Sequence, residues 1–180
     1  MSRIKPVLQT AHDGVRSSFD AIERQLGVVP NMMRTMAQSP GVLEGYLSLS
    51  RALGRGLLSA KLQEQIALAV AEANACNYCL SAHTALGRRA GLSDDQLSAS
   101  REGRAADAKA NAALRFALDV LERRGGVTDQ EFARVRGAGF SDAEVAEIIA
   151  HVALNVFTNY FNRAAETEID FPMVTAGQTV

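Results

Sequence analysis

The sequence predicts an all-α protein, and three observations carry that prediction. Apolar residues recur three and four apart through almost the whole chain, which is the period of a helix face. The composition is rich in alanine and poor in aromatic residues, 6% with no tryptophan, which suits close-packed helices better than sheets. Proline, glycine and short polar residues fall between the periodic stretches, where helices start and stop. At 180 residues the chain fits a single domain, 1–180, of a size that buries roughly 70% of the surface its unfolded chain exposes.

The first helix runs from Asp13 to Leu26, with Val15, Phe19, Ile22 and Leu26 on one face and Gly27 as its stop. Pro30 opens a short helix through Asn31, Met32, Met33 and Met36. Pro40 opens another through Val42, Leu43, Tyr46, Leu49 and Leu53, ended by Gly54 and Gly56. Ser59 is the candidate N-cap of LQEQIALAVAEA, a stretch too helix-prone for a strand and too short for a membrane span. The next helix starts at Asn74 or Asn77, because asparagine is a weak helix former and a good cap, and runs through His83 to about Arg89 before Gly91. SDDQLSASRE follows as a short capped helix, DAKANAALRFALDVLERR as an amphipathic one and TDQEFARVRGAG as another short one. The last helix begins at SDAEVAEI and reaches about Thr167, for a total of eight or nine. An offset of 82 residues pairs Ser59, Ile66, Val70, Asn77 and Tyr78 with Ser141, Ile148, Val152, Asn159 and Tyr160. Segment 141–167 is thus a candidate degenerate repeat of the region 59–91.

Formal net charge is -1, with neither sign collected into a block, so neither nucleic acid nor an anionic membrane is an expected partner. The opening MSRIKPVLQTAHDG has no apolar core of a signal peptide, and no apolar run reaches the roughly 18 residues of a membrane span. A cytoplasmic protein is expected. His12, in this opening segment, carries no functional argument.

Both cysteines lie in EANACNYCLSAHT, Cys76 and Cys79, with His83 four residues on. Closing so short a loop removes only roughly 2 kcal/mol of unfolded-chain entropy, so stability is a poor reason for the pair. On a helix Cys79 lies about 60° from Cys76, and His83 about 40° from Cys79, so the three share a face. A thiol in the first turn of a helix is acidified by unpaired N–H groups, and an adjacent imidazole can take its proton. Such a thiol beside a second one can reduce a peroxide through a sulfenic acid and a disulfide, or exchange with another protein's disulfide. Two other readings stand beside this. Cys76, Cys79 and His83 could ligate zinc with His151 or a carboxylate as the fourth ligand, or the thiols could be buried packing. For the assisting acid, a continuous helix favours Glu72, four residues before Cys76, whereas a break near Asn74 would let Glu64 point back across it.

The spacing Glu64, eleven residues, Cys76-Asn-Tyr-Cys79, three residues, His83 resembles the AhpD-like alkylhydroperoxidase family of the carboxymuconolactone decarboxylase superfamily. LGVVPNMMRTMAQSPGVLEGYL before the motif and NVFTNYFNRAAETEIDFP after it look like its peroxidase-related branch. The resemblance implies an all-helical AhpD-like fold, trimers or hexamers, and a cofactorless thiol peroxidase or disulfide reductase served by a thiol reductant. It also implies Cys79 as the attacking cysteine, Cys76 as the resolving one, His83 as the base and Glu64 as the start of a proton relay. The best-known peroxidase of the family has a histidine directly before its second cysteine, where this chain has Tyr78, a poor proton shuttle near neutral pH. The decarboxylase branch shares the fold but is not built around a cysteine pair. Outside the motif, His151, Asn155, Asn159 and Asn162 form a polar stripe on the last helix, which either lines the site or a subunit contact or, in the preferred reading, is a hydrogen-bonded structural stripe.

Overall fold

A computed structural model describes residues 2–7 and 13–178; His12 lies outside them. Within them the chain forms nine helices and no strand, in the order α1 (Asp13–Leu26), α2 (Asn31–Met36), α3 (Pro40–Leu53), α4 (Ala60–Ala73), α5 (Asn77–Arg89), α6 (Asp94–Arg101), α7 (Ala108–Glu122), α8 (Asp129–Gly137) and α9 (Asp142–Ala165). The boundaries follow the caps. Ser59, Ser93, Asp107, Thr128 and Ser141 each accept a backbone N–H from the first turn of the helix that follows, and Ser93, Thr128 and Ser141 complete capping boxes with Gln96, Glu131 and Glu144. No helix of the described residues is long and apolar enough to cross a membrane.

Helix α4 is the centre of the molecule. Residues 65–71 are buried all round, and the helix packs against α5, α6, α7 and α9, as expected of a helix without a polar face. Leu68 and Ala71 join a core with Phe19, Met36, Leu43, Leu80 and Leu97 from α1, α2, α3, α5 and α6. Ile66 and Val70 join a second core with Leu114, Phe116, Val135 and Ile148 from α7, α8 and α9. The two cysteines belong to the first core.

The turn from α4 to α5 decides where the motif residues go. Ala75 adopts φ 50°, the left-handed region, and the N–H groups of Ala75 and Cys76 return to the carbonyls of Glu72 and Ala71 at 2.9 Å each. That is the closure of a Schellman motif, with alanine where glycine is usual, a conformation that costs about 1 kcal/mol or more. The Asn74 amide donates to Asn159 Oδ1 of α9 at 2.9 Å and ties the turn to the longest helix. The chain then restarts with Cys76 as N-cap, its sulfur accepting from Cys79 N at 3.3 Å. At the positions that the 82-residue offset pairs with this break, Val156, Phe157 and Thr158, α9 runs on without interruption.

Candidate functional site

The break folds α5 back along α4, and the phase of one helix no longer predicts the other. Glu64, early in α4, comes to face His83, whose Nδ1 donates to Glu64 Oε2 at 2.8 Å. Both side chains keep about a fifth of their surface exposed. Glu72, which a continuous helix would favour, instead pairs with the nearly buried Arg101 at 2.7 Å and accepts from Gly177 N at 2.6 Å. Its carboxylate fastens the C-terminal segment, whose Thr175 and Gln178 carbonyls accept from the same guanidinium.

Cys76 and Cys79 are joined as a disulfide, with Cα atoms 5.3 Å apart. Both are buried, at 1% and 2% exposure, yet they are not equivalent. Cys79 lines a cleft of about 250 Å³ together with His83, and Cys76 does not. Cys79, Ala82, Leu86 and Arg89 line it from one face of α5, and Leu26, Val28, Pro30 and Met33 line it from the end of α1, the following turn and α2. Over the Cys76 side lies the C-terminal segment, where Val174 N donates to Ser81 Oγ at 2.9 Å and Ala176 N to Asn77 Oδ1 at 3.0 Å.

Tyr78 has a structural task. Its hydroxyl accepts from Met32 N at 3.1 Å, its ring meets Phe171 edge-on at 5.8 Å, and burial pushes its phenol far above the ordinary range. It stays protonated at any working pH and holds α2 against α5. Tyr46, at the cleft from α3, is also pushed up by burial; its hydrogen bond with Ser50 opposes this, and the charge of Glu64 adds to it.

The polar stripe on α9 divides. Asn155 donates to His151 O at 2.8 Å and Asn159 accepts from Asn74, in keeping with a structural reading. Asn162 departs from it. It lines the cleft, its Nδ2 lies 3.5 Å from Cys79 Sγ and 3.1 Å from Met32 Sδ, and its Oδ1 is buried without a partner. Spacing alone revealed the stripe but not its target, because Cys79 is 83 residues away in sequence. Among the described residues no group of three His, Cys, Asp or Glu side chains is placed to hold a metal ion, and the ring of His83 is turned to Glu64.

His151 is buried with Nε2 unpartnered. Burial, chiefly, holds it below its ordinary value of 6.5; the charges of Glu147 and Glu64 oppose that shift, and His83 adds to it. The unfolded chain therefore binds a proton at His151 before the folded chain does. Its contribution to stability is full above pH 6.5 and is lost as pH falls from there through the folded value. Glu131 and Glu144, held below 4.5 by their capping hydrogen bonds, act only in a lower window. Melting temperature should fall between pH 7 and 5 in the native protein and fall less in His151→Asn; equal slopes would remove His151 as the cause.

The sequence model described as the carboxymuconolactone decarboxylase family matches residues 40–123. No curated protein sequence matches the chain. Among solved structures, an AhpD-core, peroxidase-related protein of Ralstonia eutropha JMP134 superimposes with a TM-score of 0.84 at 27% identity, over 94% of this chain and 92% of that one. A peroxidase-related protein of Silicibacter sp. TM1040 gives 0.80 at 22% identity, over 97% and 93%. The debrominase Bmp8, also solved as a variant with 2,3,4-tribromopyrrole, gives 0.79 at 22%, over 93% and 91%. The last two are likenesses of fold.

Proposed function

Residues 40–123 match the model of the carboxymuconolactone decarboxylase family, and from that premise we propose a cofactorless thiol enzyme that reduces hydroperoxides or disulfides through Cys79 and Cys76. The observation that carries the proposal is the asymmetry of the pair: Cys79 opens on the cleft beside a histidine tied to a carboxylate, while Cys76 is bonded to it from behind.

With Nδ1 committed to Glu64, His83 has Nε2 left to take the Cys79 proton, and the carboxylate stabilises the imidazolium that forms. The Cys79 thiolate attacks the terminal peroxide oxygen, the O–O bond breaks, and the departing alkoxide leaves as alcohol with the proton from His83. Cys79 is then a sulfenic acid. The Cys76 sulfur attacks it, the S–S bond forms, and hydroxide leaves as water with the Cys76 proton. Two thiols of a reductant, a dithiol protein or a small thiol, restore the pair by exchange. The Asn162 amide, against Cys79 Sγ, is placed to donate to the thiolate. Exposed Ile149, Phe157 and Tyr160 on α9 support assembly into a homo-oligomer.

The test is mass spectrometry of the reduced protein before and after a small excess of hydroperoxide, with free thiols trapped by alkylation. The expected result is loss of two hydrogens, mapped to the peptide holding Cys76 and Cys79, with one alcohol released per disulfide. If both thiols alkylate unchanged after peroxide, the proposal fails.

A further inference from the structure

The lining of the cleft at Cys79 combines polar groups, apolar side chains and one cation. Asn162 lies against the sulfur, His83 is one helical turn from it on α5, and Thr158 and Tyr46 also line the cleft. Leu26, Val28, Met33, Ala82 and Leu86 give the lining a large apolar share. Arg89, the last residue of α5, also lines the cleft, on the same α5 face as Cys79, Ala82 and Leu86 at spacings of three, four and three.

Arg89 differs from its neighbours. Arg88 pairs with Asp94, Arg101 with Glu72 and Arg104 with Glu102, but no carboxylate of the described residues pairs with Arg89. It is the one permanent cation among the described residues lining the cleft, and Glu64 is already engaged by His83. Ten residues of helix put its Cα about 15 Å from that of Cys79, and side chains on a helix tilt back toward its N-terminus, which shortens the span for a long arginine.

We infer that the cleft selects hydroperoxides with an apolar body and a carboxylate at the opposite end, and that Arg89 binds that carboxylate. This rests on the thiol reading of Cys79. The volume sets the size. A cleft of about 250 Å³ suits an aryl or short branched alkyl body and not a long chain. Hydrogen peroxide would leave the apolar walls uncovered and gain nothing from Arg89. A neutral organic peroxide gains the first contribution and not the second.

The probes are cumene hydroperoxide and its para-carboxylate, compared by kcat/KM in the native protein, Arg89→Gln and Arg89→Lys. The native enzyme should prefer the carboxylate by about fivefold, the upper end for a solvent-accessible ion pair. The preference should disappear in Arg89→Gln, persist in part in Arg89→Lys, and weaken in high salt. A preference ratio unchanged in Arg89→Gln, or absent in the native enzyme, overturns the inference. A second readout does not depend on turnover. In the reduced protein, 4-isopropylbenzoate should slow alkylation of Cys79, and in Arg89→Gln it should not. If neither peroxide is consumed, the peroxidase proposal fails by itself, and the alkylation result still decides whether Arg89 holds an anion at the thiol; absence of protection in the native protein counts against it.

Discussion

Replacing Cys79 by serine is expected to abolish peroxide turnover, and replacing Cys76 by serine to stop the enzyme after one. The two sulfurs are equally buried and covalently joined, so burial does not separate them; access does. Only Cys79 borders the cleft, and only Cys79 lies against the Asn162 amide. Cys76 instead caps α5, its sulfur receiving the Cys79 N–H, a position that acidifies a thiol without exposing it to substrate. In Cys76→Ser the first chemical step survives. The reduced variant should release a single equivalent of alcohol and then hold a sulfenic acid on Cys79 that a carbon-acid trap labels, whereas Cys79→Ser should release none and take no label. Serine is close to cysteine in size and can itself cap a helix, so both variants should fold. Alcohol release continuing at the native rate in Cys79→Ser would move the chemistry to another residue.

Which parts of this arrangement were legible beforehand follows from the range over which each signal acts. The starts of α4, α6, α7, α8 and α9 were readable because Ser59, Ser93, Asp107, Thr128 and Ser141 announce them within three residues. The restart of α5 could not be fixed between Asn74 and Asn77, because the left-handed residue is an alanine and the N-cap is Cys76 itself, neither a usual choice for its position. That single turn also concealed the geometry of the site. Periodicity carries phase only along an unbroken helix, and the Ala75 turn resets it, so no count of residues could show that Glu64 faces His83 while Glu72 faces Arg101. The strap formed by Val174, Ala176 and Gly177 had no signal at all, since an irregular segment held by Ser81, Asn77 and Glu72 has no period. Asn162 lies between these cases, visible as part of a stripe and silent about its sulfur partner.

Glu64→Gln should slow turnover about a hundredfold or more, the effect of disabling a general acid–base pair, while leaving the fold intact. The amide is isosteric and still accepts a hydrogen bond from His83 Nδ1, but it brings no negative charge to hold the imidazolium, so His83 takes the Cys79 proton less readily. The loss should appear in kcat/KM for peroxide and in the rate at which the reduced Cys79 thiol alkylates, and a higher pH that ionises the thiol directly should recover part of it. Glu72→Gln is the matched control on the same helix. Its carboxylate serves Arg101, whose side chain is 6% exposed, and the amide of Gly177. Removing that charge leaves a buried guanidinium poorly matched, at a cost of about 2 kcal/mol, or about 4 to 8 °C of melting temperature for a chain of this length. The two variants should therefore exchange phenotypes: activity lost with stability kept in one, stability lost in the other with thiol reactivity far less affected than by Glu64→Gln. A Glu64→Gln protein with native kcat/KM and native thiol reactivity would remove the carboxylate from the chemistry and leave His83 to act as base unaided.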